Sequence, residues 1–348
     1  MKTEPFSHTI STMTFSTTLS IILILSSFVG AQAQQQPSLS QTDRIRLAEA
    51  FRLADAIGNQ IWKDWDKAPF AVLLVTPEYE FLIRHPRPDN DFKLIGHDPL
   101  LKSDVYVRKR QFQTNFQATF PAVGGISTIV MGQAENTASK SSTPWVVTLM
   151  HEHFHQLQDS QPRFYEEVSA LNLAHGDQSG MWMLNYNFPY DSYEVKQQFF
   201  VMSRLLADAL KSKDKDDFSA NLSAYLTARA QLQEMLSADD YKYLSFQLWK
   251  EGIARYTEYH VAKLAATAYK PTKTFAALKD FTSYDRVADQ VMNRIVDQLS
   301  TLEFEKSKRE SFYPIGGGEG LSLDRLNPRW RDRYFIDKFS LDSHFNAR

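Results

Sequence analysis

The chain has 348 residues, 43% hydrophobic and 23% charged, enough for the packed core of one large domain or two small ones. A formal net charge of -2 supplies no global basic field, so neither nucleic acid nor an anionic lipid surface is an expected partner. Cysteine is absent, which excludes disulfides, thiolate metal sites, thiol nucleophiles and iron–sulfur clusters, and any metal must be held by His, Asp or Glu.

The first 33 residues read as an export signal. Lys2 gives a weakly positive start, an apolar run extends from Leu19 through Leu25 to Val29, and Ala31-Gln32-Ala33 has the small-x-small pattern of a cleavage site. The apolar stretch is short of the ~20 residues a membrane span needs. An uncleaved N-terminal anchor is the alternative. The expected product is a secreted or periplasmic protein starting at Gln34, with residues 34–348 as one domain.

After a polar stretch to Gln41, apolar positions from Ile45 to Ile61 recur at helical spacing, with Thr42 or Asp43 as the expected cap. A β-rich section is expected over about 66–132. Phe70–Val75 is an apolar run with β-branched residues, Glu80–Ile83 returns after a turn at Thr76-Pro77-Glu78, and Val105–Val107 and Gln113–Phe120 alternate like strands. Gly124-Gly125 then leads into a strand at Ile126–Met131. Pro144 marks a helix start with Thr143 as N-cap. From there to about residue 310 the chain is expected to be mainly helical, with helices near 144–158, 192–211, 217–236, 239–268 and 284–300. The fold class is therefore α+β.

The segment Thr148–Leu157 contains H-E-x-x-H. Residues four apart share a helical face, so His151 and His155 can reach one cation. Glu152 lies beside such a cation, where its carboxylate can take a proton from a water. Two imidazoles and a carboxylate on an otherwise uncharged helix are costly to bury unless they share a partner. His153 is on the other side of the helix and reads as a hydrogen-bonded structural histidine. A catalytic zinc site needs a third protein ligand and an open fourth position.

Downstream lies Leu248-Trp249-Lys250-Glu251-Gly252-Ile253-Ala254-Arg255-Tyr256-Thr257-Glu258. With the first motif, this segment resembles the gluzincin metallopeptidases of the broad thermolysin-like superfamily. Its E-G-x-A-x-Y-x-x-E string is similar to the second helix of their aminopeptidase branch. The resemblance covers residues 143–158 and 246–262. It implies one Zn2+ per chain held by His151, His155 and Glu251, Glu152 as general base, and a peptide or protein substrate. About 95 residues separate the motifs, more than in that branch, and its G-x-M-E-N string is absent. Glu251, Arg255 and Glu258 share a narrow helical face. Glu258 fits either an acceptor for the free N–H of a ligand histidine or a partner of Arg255. Arg255 fits equally a substrate carboxylate or carbonyl.

Other features have two readings each. Ile126–Met131 is expected to line the cleft, either as an exposed edge that pairs with peptide or as an interior strand. The aromatic loop Met181–Tyr190 reads as a substrate wall or as packing. Gly316-Gly317-Gly318 reads as a flexible turn, because no phosphate-loop Lys follows. Tyr313 ahead of it is either a phenolic donor for a tetrahedral intermediate or core. The expected function is an exported zinc metallopeptidase with its metal between the β layer and the helices. The alternatives are a zinc hydrolase of a non-peptide amide or ester, and a non-catalytic zinc-stabilised binding protein.

Overall fold

The computed structural model describes residues 37–177 and 179–346. The expected leader over residues 1–33 lies outside the described residues. Helix α1 (Gln41–Ile61) opens the fold. Its cap is Ser40, not Thr42 or Asp43. The Ser40 hydroxyl accepts the Asp43 backbone N–H at 3.1 Å and donates to the Asp43 carboxylate at 2.7 Å, so Asp43 answers the cap from the first turn. A 3-10 turn, Trp65–Lys67, leads to the sheet.

Six strands follow: β1 (Val72–Val75), β2 (Tyr79–Ile83), β3 (Lys93–Asp98), β4 (Ser103–Lys109), β5 (Gln117–Val123) and β6 (Ile126–Gly132). They form one sheet in the order β3-β4-β2-β1-β6-β5. Only the β1–β6 pair is parallel. The β5–β6 hairpin turns on Gly124 and Gly125, both at positive φ, which the two-residue turn requires. Strand alternation divides the side chains between two layers. Val72, Leu74, Phe81, Ile83, Ile129 and Met131 enter the main core, while Leu73, Val75, Leu82 and Val130 face a smaller cluster on the other side.

The helical part comprises α2 (Ser142–Asp159), α3 (Phe164–Ala170), α4 (Trp182–Asn185), α5 (Tyr193–Lys211), α6 (Lys215–Met235), α7 (Ala238–Gln247), α8 (Ile253–Ala268), α9 (Lys273–Ala276), α10 (Tyr284–Ser300), α11 (Phe304–Ser307), α12 (Phe312–Leu326) and α13 (Asp342–Asn346). The fold is thus α+β, a six-stranded sheet followed by a mainly helical region. No described helix is long and apolar enough to cross a membrane.

Three expectations need correction, and one strand was not expected. The strand at 93–98 has no apolar alternation, since it is an exposed edge held by pairing with β4. The single helix expected over 239–268 is broken into α7 and α8 by a π turn, Leu248–Gly252. The start of α2 is not capped by Thr143. Asp280 accepts the Ser142 backbone N–H at 2.9 Å and its hydroxyl at 2.7 Å, so the helix is capped from a distant segment. Gly316–Gly318 is no turn but the middle of buried helix α12.

Helix α2 lies at the centre. All of its residues except Pro144 and Thr148 are buried, as expected of a helix packed on every side. Gln156 ties it to the sheet by donating to Ala71 O and Ser127 O at 3.0 and 2.9 Å. On another side Phe154 joins Trp62, Trp65, Tyr334 and Phe335 in an aromatic cluster linking α1, α2 and the C-terminal segment. The helix is clamped before any site chemistry is considered.

Candidate metal centre

One side of α2 lines a cleft of about 630 Å³. Pro144, Thr148 and Glu152 follow one another at four-residue spacing along its wall, with Val147 and His151 beside them. The opposite wall is formed by α8, α10 and the start of α12, through Arg255, Arg294 and Tyr313.

His151, which lines this cleft, converges with His155 and Glu251, which do not line it. One ligand atom from each can be chosen so that all lie within 4.8 Å of one another. His151 Nε2 and His155 Nε2 are 3.2 Å apart. Glu251 Oε2 is 3.3 Å from His155 Nε2 and 3.9 Å from His151 Nε2. A tetrahedral cation with bonds of about 2.0–2.1 Å keeps its ligands roughly 3.3 Å apart, so these separations suit one small cation. The two ring nitrogens face each other in a buried pocket, and the Glu251 carboxylate points at both. This donor set fits a divalent metal.

The orientation of each ligand has a physical cause. His155 Nδ1 lies 2.7 Å from Gln158 Oε1. One Gln158 Nε2 hydrogen goes to the Tyr334 hydroxyl at 2.8 Å, and the other is shared between Trp249 O and Lys250 O at 3.2 Å each. The amide nitrogen is therefore fixed as the donor end, Oε1 must accept, and the His155 proton sits on Nδ1. That leaves the Nε2 lone pair for a cation. The same contacts brace the π turn. A π turn leaves carbonyls without their usual helical partner, and Gln158 and Tyr334 supply hydrogen bonds to those of Trp249 and Lys250. Gln158 thus couples the helix carrying two candidate ligands to the turn carrying the third.

His151 is held by Glu258, whose Oε1 lies 2.8 Å from Nδ1. Burial pushes the His151 pKa down, but Glu251 and Glu258 outweigh it and raise the value to about 9. Burial works against the Glu258 carboxylate as well, yet Arg255, His151 and Arg294 hold its pKa well below the usual range. Both readings of Glu258 therefore hold at once: it contacts His151 and accepts from Arg255 Nη1 at 2.7 Å.

Glu152 is outside this trio. Its Oε2 accepts the Thr119 hydroxyl at 2.7 Å, and Thr119 belongs to β5. The strand that reaches Glu152 is thus β5, an edge of the sheet. Ile126–Met131 is interior, paired with β1 and β5 on its two sides, so it offers no free edge for peptide.

Tyr313 lies at the cleft, its ring near-parallel to His151 at 6.2 Å between centroids. Arg309 Nη1 donates to its hydroxyl oxygen at 3.1 Å and lies 3.4 Å from Glu251 Oε1. Burial and the Glu251 charge push the phenol pKa up, so it remains a proton donor. His153 is structural, as expected. It is buried, stacks on Phe70 at 3.8 Å, bonds Gln156 at 2.9 Å, and burial lowers its pKa to about 3. The aromatic loop packs: Tyr186 stacks on Tyr243 at 4.3 Å, and no described residue of Met181–Tyr190 lines the cleft.

Sequence reasoning missed Thr119, Gln158, Arg294 and Arg309. Gln158 alone had a signal, its three-residue spacing from His155 on a buried helix. The other three approach from separate elements. No protein-family model matches the chain, no curated protein matches it, and no solved structure matches it.

Proposed function

We propose that the chain is an exported zinc-dependent hydrolase of peptide bonds, of the gluzincin type and with a zincin-like fold. One observation carries the reading: His151, His155 and Glu251 converge on one cation position while Glu152, outside that trio, lines the cleft beside His151. A purely structural metal site has no need of the fourth residue. A closed structural zinc site would also fill all four positions with protein ligands.

When bound, zinc supplies an acidified water and polarises the scissile carbonyl. The rest is done by the chain. Glu152 takes the proton of the attacking water and passes it to the leaving amine. Thr119 fixes one oxygen of Glu152. Tyr313 donates its phenolic hydrogen to the oxygen of the tetrahedral intermediate, since Arg309 already occupies a lone pair of the hydroxyl. Gln158 and Glu258 hold the two imidazoles.

Metal analysis together with cleavage of a peptide library tests the reading. The purified protein is expected to carry about one zinc per chain and to lose hydrolysis on chelation. His151→Ala, His155→Ala and Glu251→Ala are each expected to lose most of the metal. Stoichiometric metal in both His variants removes the ligand assignment. A zinc-loaded parent that cleaves no peptide favours the zinc-stabilised binding protein instead.

Thr119→Val gives a finer check. It removes the hydroxyl on Glu152 but keeps shape and leaves the metal ligands untouched. Turnover is expected to fall about tenfold, the usual scale for losing an orienting partner, with zinc content unchanged. Steady-state kinetics beside metal analysis reads it, and unchanged turnover would show that Glu152 needs no such anchor.

A further inference from the structure

Three guanidinium groups crowd the cleft. Arg255 on α8, Arg294 on α10 and Arg309 before α12 all line it. Arg255 Nη1 and Arg294 Nη2 donate to the same atom, Glu258 Oε2, at 2.7 Å each, while Glu258 Oε1 serves His151. One carboxylate is shared by two permanent cations and an imidazole. Holding Glu258 takes one arginine, and the second is in excess. Arg294 makes no other hydrogen bond among the described residues, and Arg255 Nε is buried without a partner. Burial, with a smaller contribution from the Arg255 charge, pushes the Arg294 pKa down in spite of Glu258.

With a divalent cation bound, the cleft would carry a net positive charge. The three guanidinium groups are matched in number by Glu152, Glu258 and the exposed Glu310. Glu251 neutralises only one of the two charges of a divalent cation, which leaves one positive charge over. A guanidinium with free N–H groups in a cleft is suited to a carboxylate, which it can bind with two parallel hydrogen bonds.

We propose that the cleft takes short peptides by their C-terminal carboxylate, seated on the Arg294–Arg255 pair, so that the chain trims peptides from that end. This rests on the hydrolase reading above. Arg294 is linked to the cation position through Glu258 and one imidazole, on the order of 10 Å, the span of about three extended residues. The carboxylate is thus seated a few residues beyond the scissile bond.

The test is calorimetric binding to the Glu152→Gln protein loaded with zinc, which avoids turnover. Three probes are compared: acetyl-trialanine, its C-terminal amide, and acetyl-Ala-Glu-Ala amide, which carries a carboxylate only on its side chain. The free acid is expected to bind at least about tenfold more tightly than either amide. Adding Arg294→Gln is expected to bring the acid down to the affinity of its amide, and Arg294→Lys to restore part of the difference. Equal binding of acid and amide overturns the proposal, as does a preference that survives Arg294→Gln. Equal binding of the Glu-containing amide overturns the terminal assignment. If none of the three binds, the peptide reading fails as well, whereas cleavage of amidated peptides without an acid preference removes only this inference.

Discussion

Glu152→Gln is expected to retain its zinc and its melting temperature while losing turnover by at least about a hundredfold, the usual scale for removing a general base. The argument is one of separated duties. The three converging donors are His151, His155 and Glu251. Glu152 is not among them, so its charge is not needed to hold a cation. Its side chain is buried, and its one described side-chain hydrogen bond comes from the Thr119 hydroxyl. Glutamine keeps an acceptor oxygen for that bond and nearly the same volume, so packing around β5 and α2 is preserved. What it lacks is a group that can accept the proton of water and release it to an amine. Zinc content, thermal melting and hydrolysis rate on the same preparation check this. Full activity in Glu152→Gln would remove the mechanism, and loss of zinc would mean that Glu152 belongs to the ligand set.

The contrast with the ligand variants makes the result informative. Glu251→Ala takes an anionic donor out of a pocket that already holds Glu258, Arg309 and two imidazoles. It leaves Arg309 without its carboxylate and the cation position with two nitrogens. Metal and activity are then lost together, whereas in Glu152→Gln activity alone is lost.

The residues that act through local spacing were legible in the sequence. His151, Glu152 and His155 are fixed relative to one another by helical geometry alone, and burial of the surrounding apolar residues is enough to form that helix. Glu251 was reached by resemblance, not by periodicity, and its neighbour Glu258 was left between two roles that it turns out to combine. The strands with β-branched runs were also legible, within about four residues at their ends, because alternation and turn residues mark them. What was hidden depends on contacts between distant elements. Strand β3 exists because β4 pairs with it. The cap of α2 comes from Asp280. The partner of Glu152 comes from the edge strand, and strand order is not written in any one segment. The π turn at Leu248–Gly252 lies inside a continuous helical pattern and becomes intelligible only beside Gln158, Tyr334 and α12.

That last contact leads to the largest expected effect on stability, at Gly316. Helix propensity alone says that Gly→Ala in a helix interior gains up to about 1 kcal/mol. Gly316 is expected to behave in the opposite way. A Cβ there would lie 2.6 Å from Leu248 O and 2.7 Å from Gly252 Cα, both backbone atoms of the π turn, while one on Gly252 would lie 2.4 Å from Gly316 Cα. Backbone cannot rotate out of the way as a side chain can, so α12 and the turn must separate. Overpacking of this kind costs roughly 1–3 kcal/mol, and more when no neighbour can give. Gly316→Ala is expected to destabilise by about 1–2 kcal/mol after the propensity gain, and Gly316→Val by about 3 kcal/mol or more. Gly317 is the control. Its Cβ would meet the Arg255 side chain at 3.2 Å, which can shift, so Gly317→Ala is expected to be neutral or mildly stabilising. Separation of the two elements also moves Glu251, the penultimate residue of the turn. The Gly316 variants should therefore bind zinc more weakly at a temperature where they remain folded, while Gly317→Ala should not. Denaturant melts and zinc titrations on the three variants read both effects. Parent-like stability in Gly316→Val would show that the close approach of α12 is not what fixes the turn, and parent-like zinc affinity in a destabilised Gly316 variant would show that Glu251 is held without it.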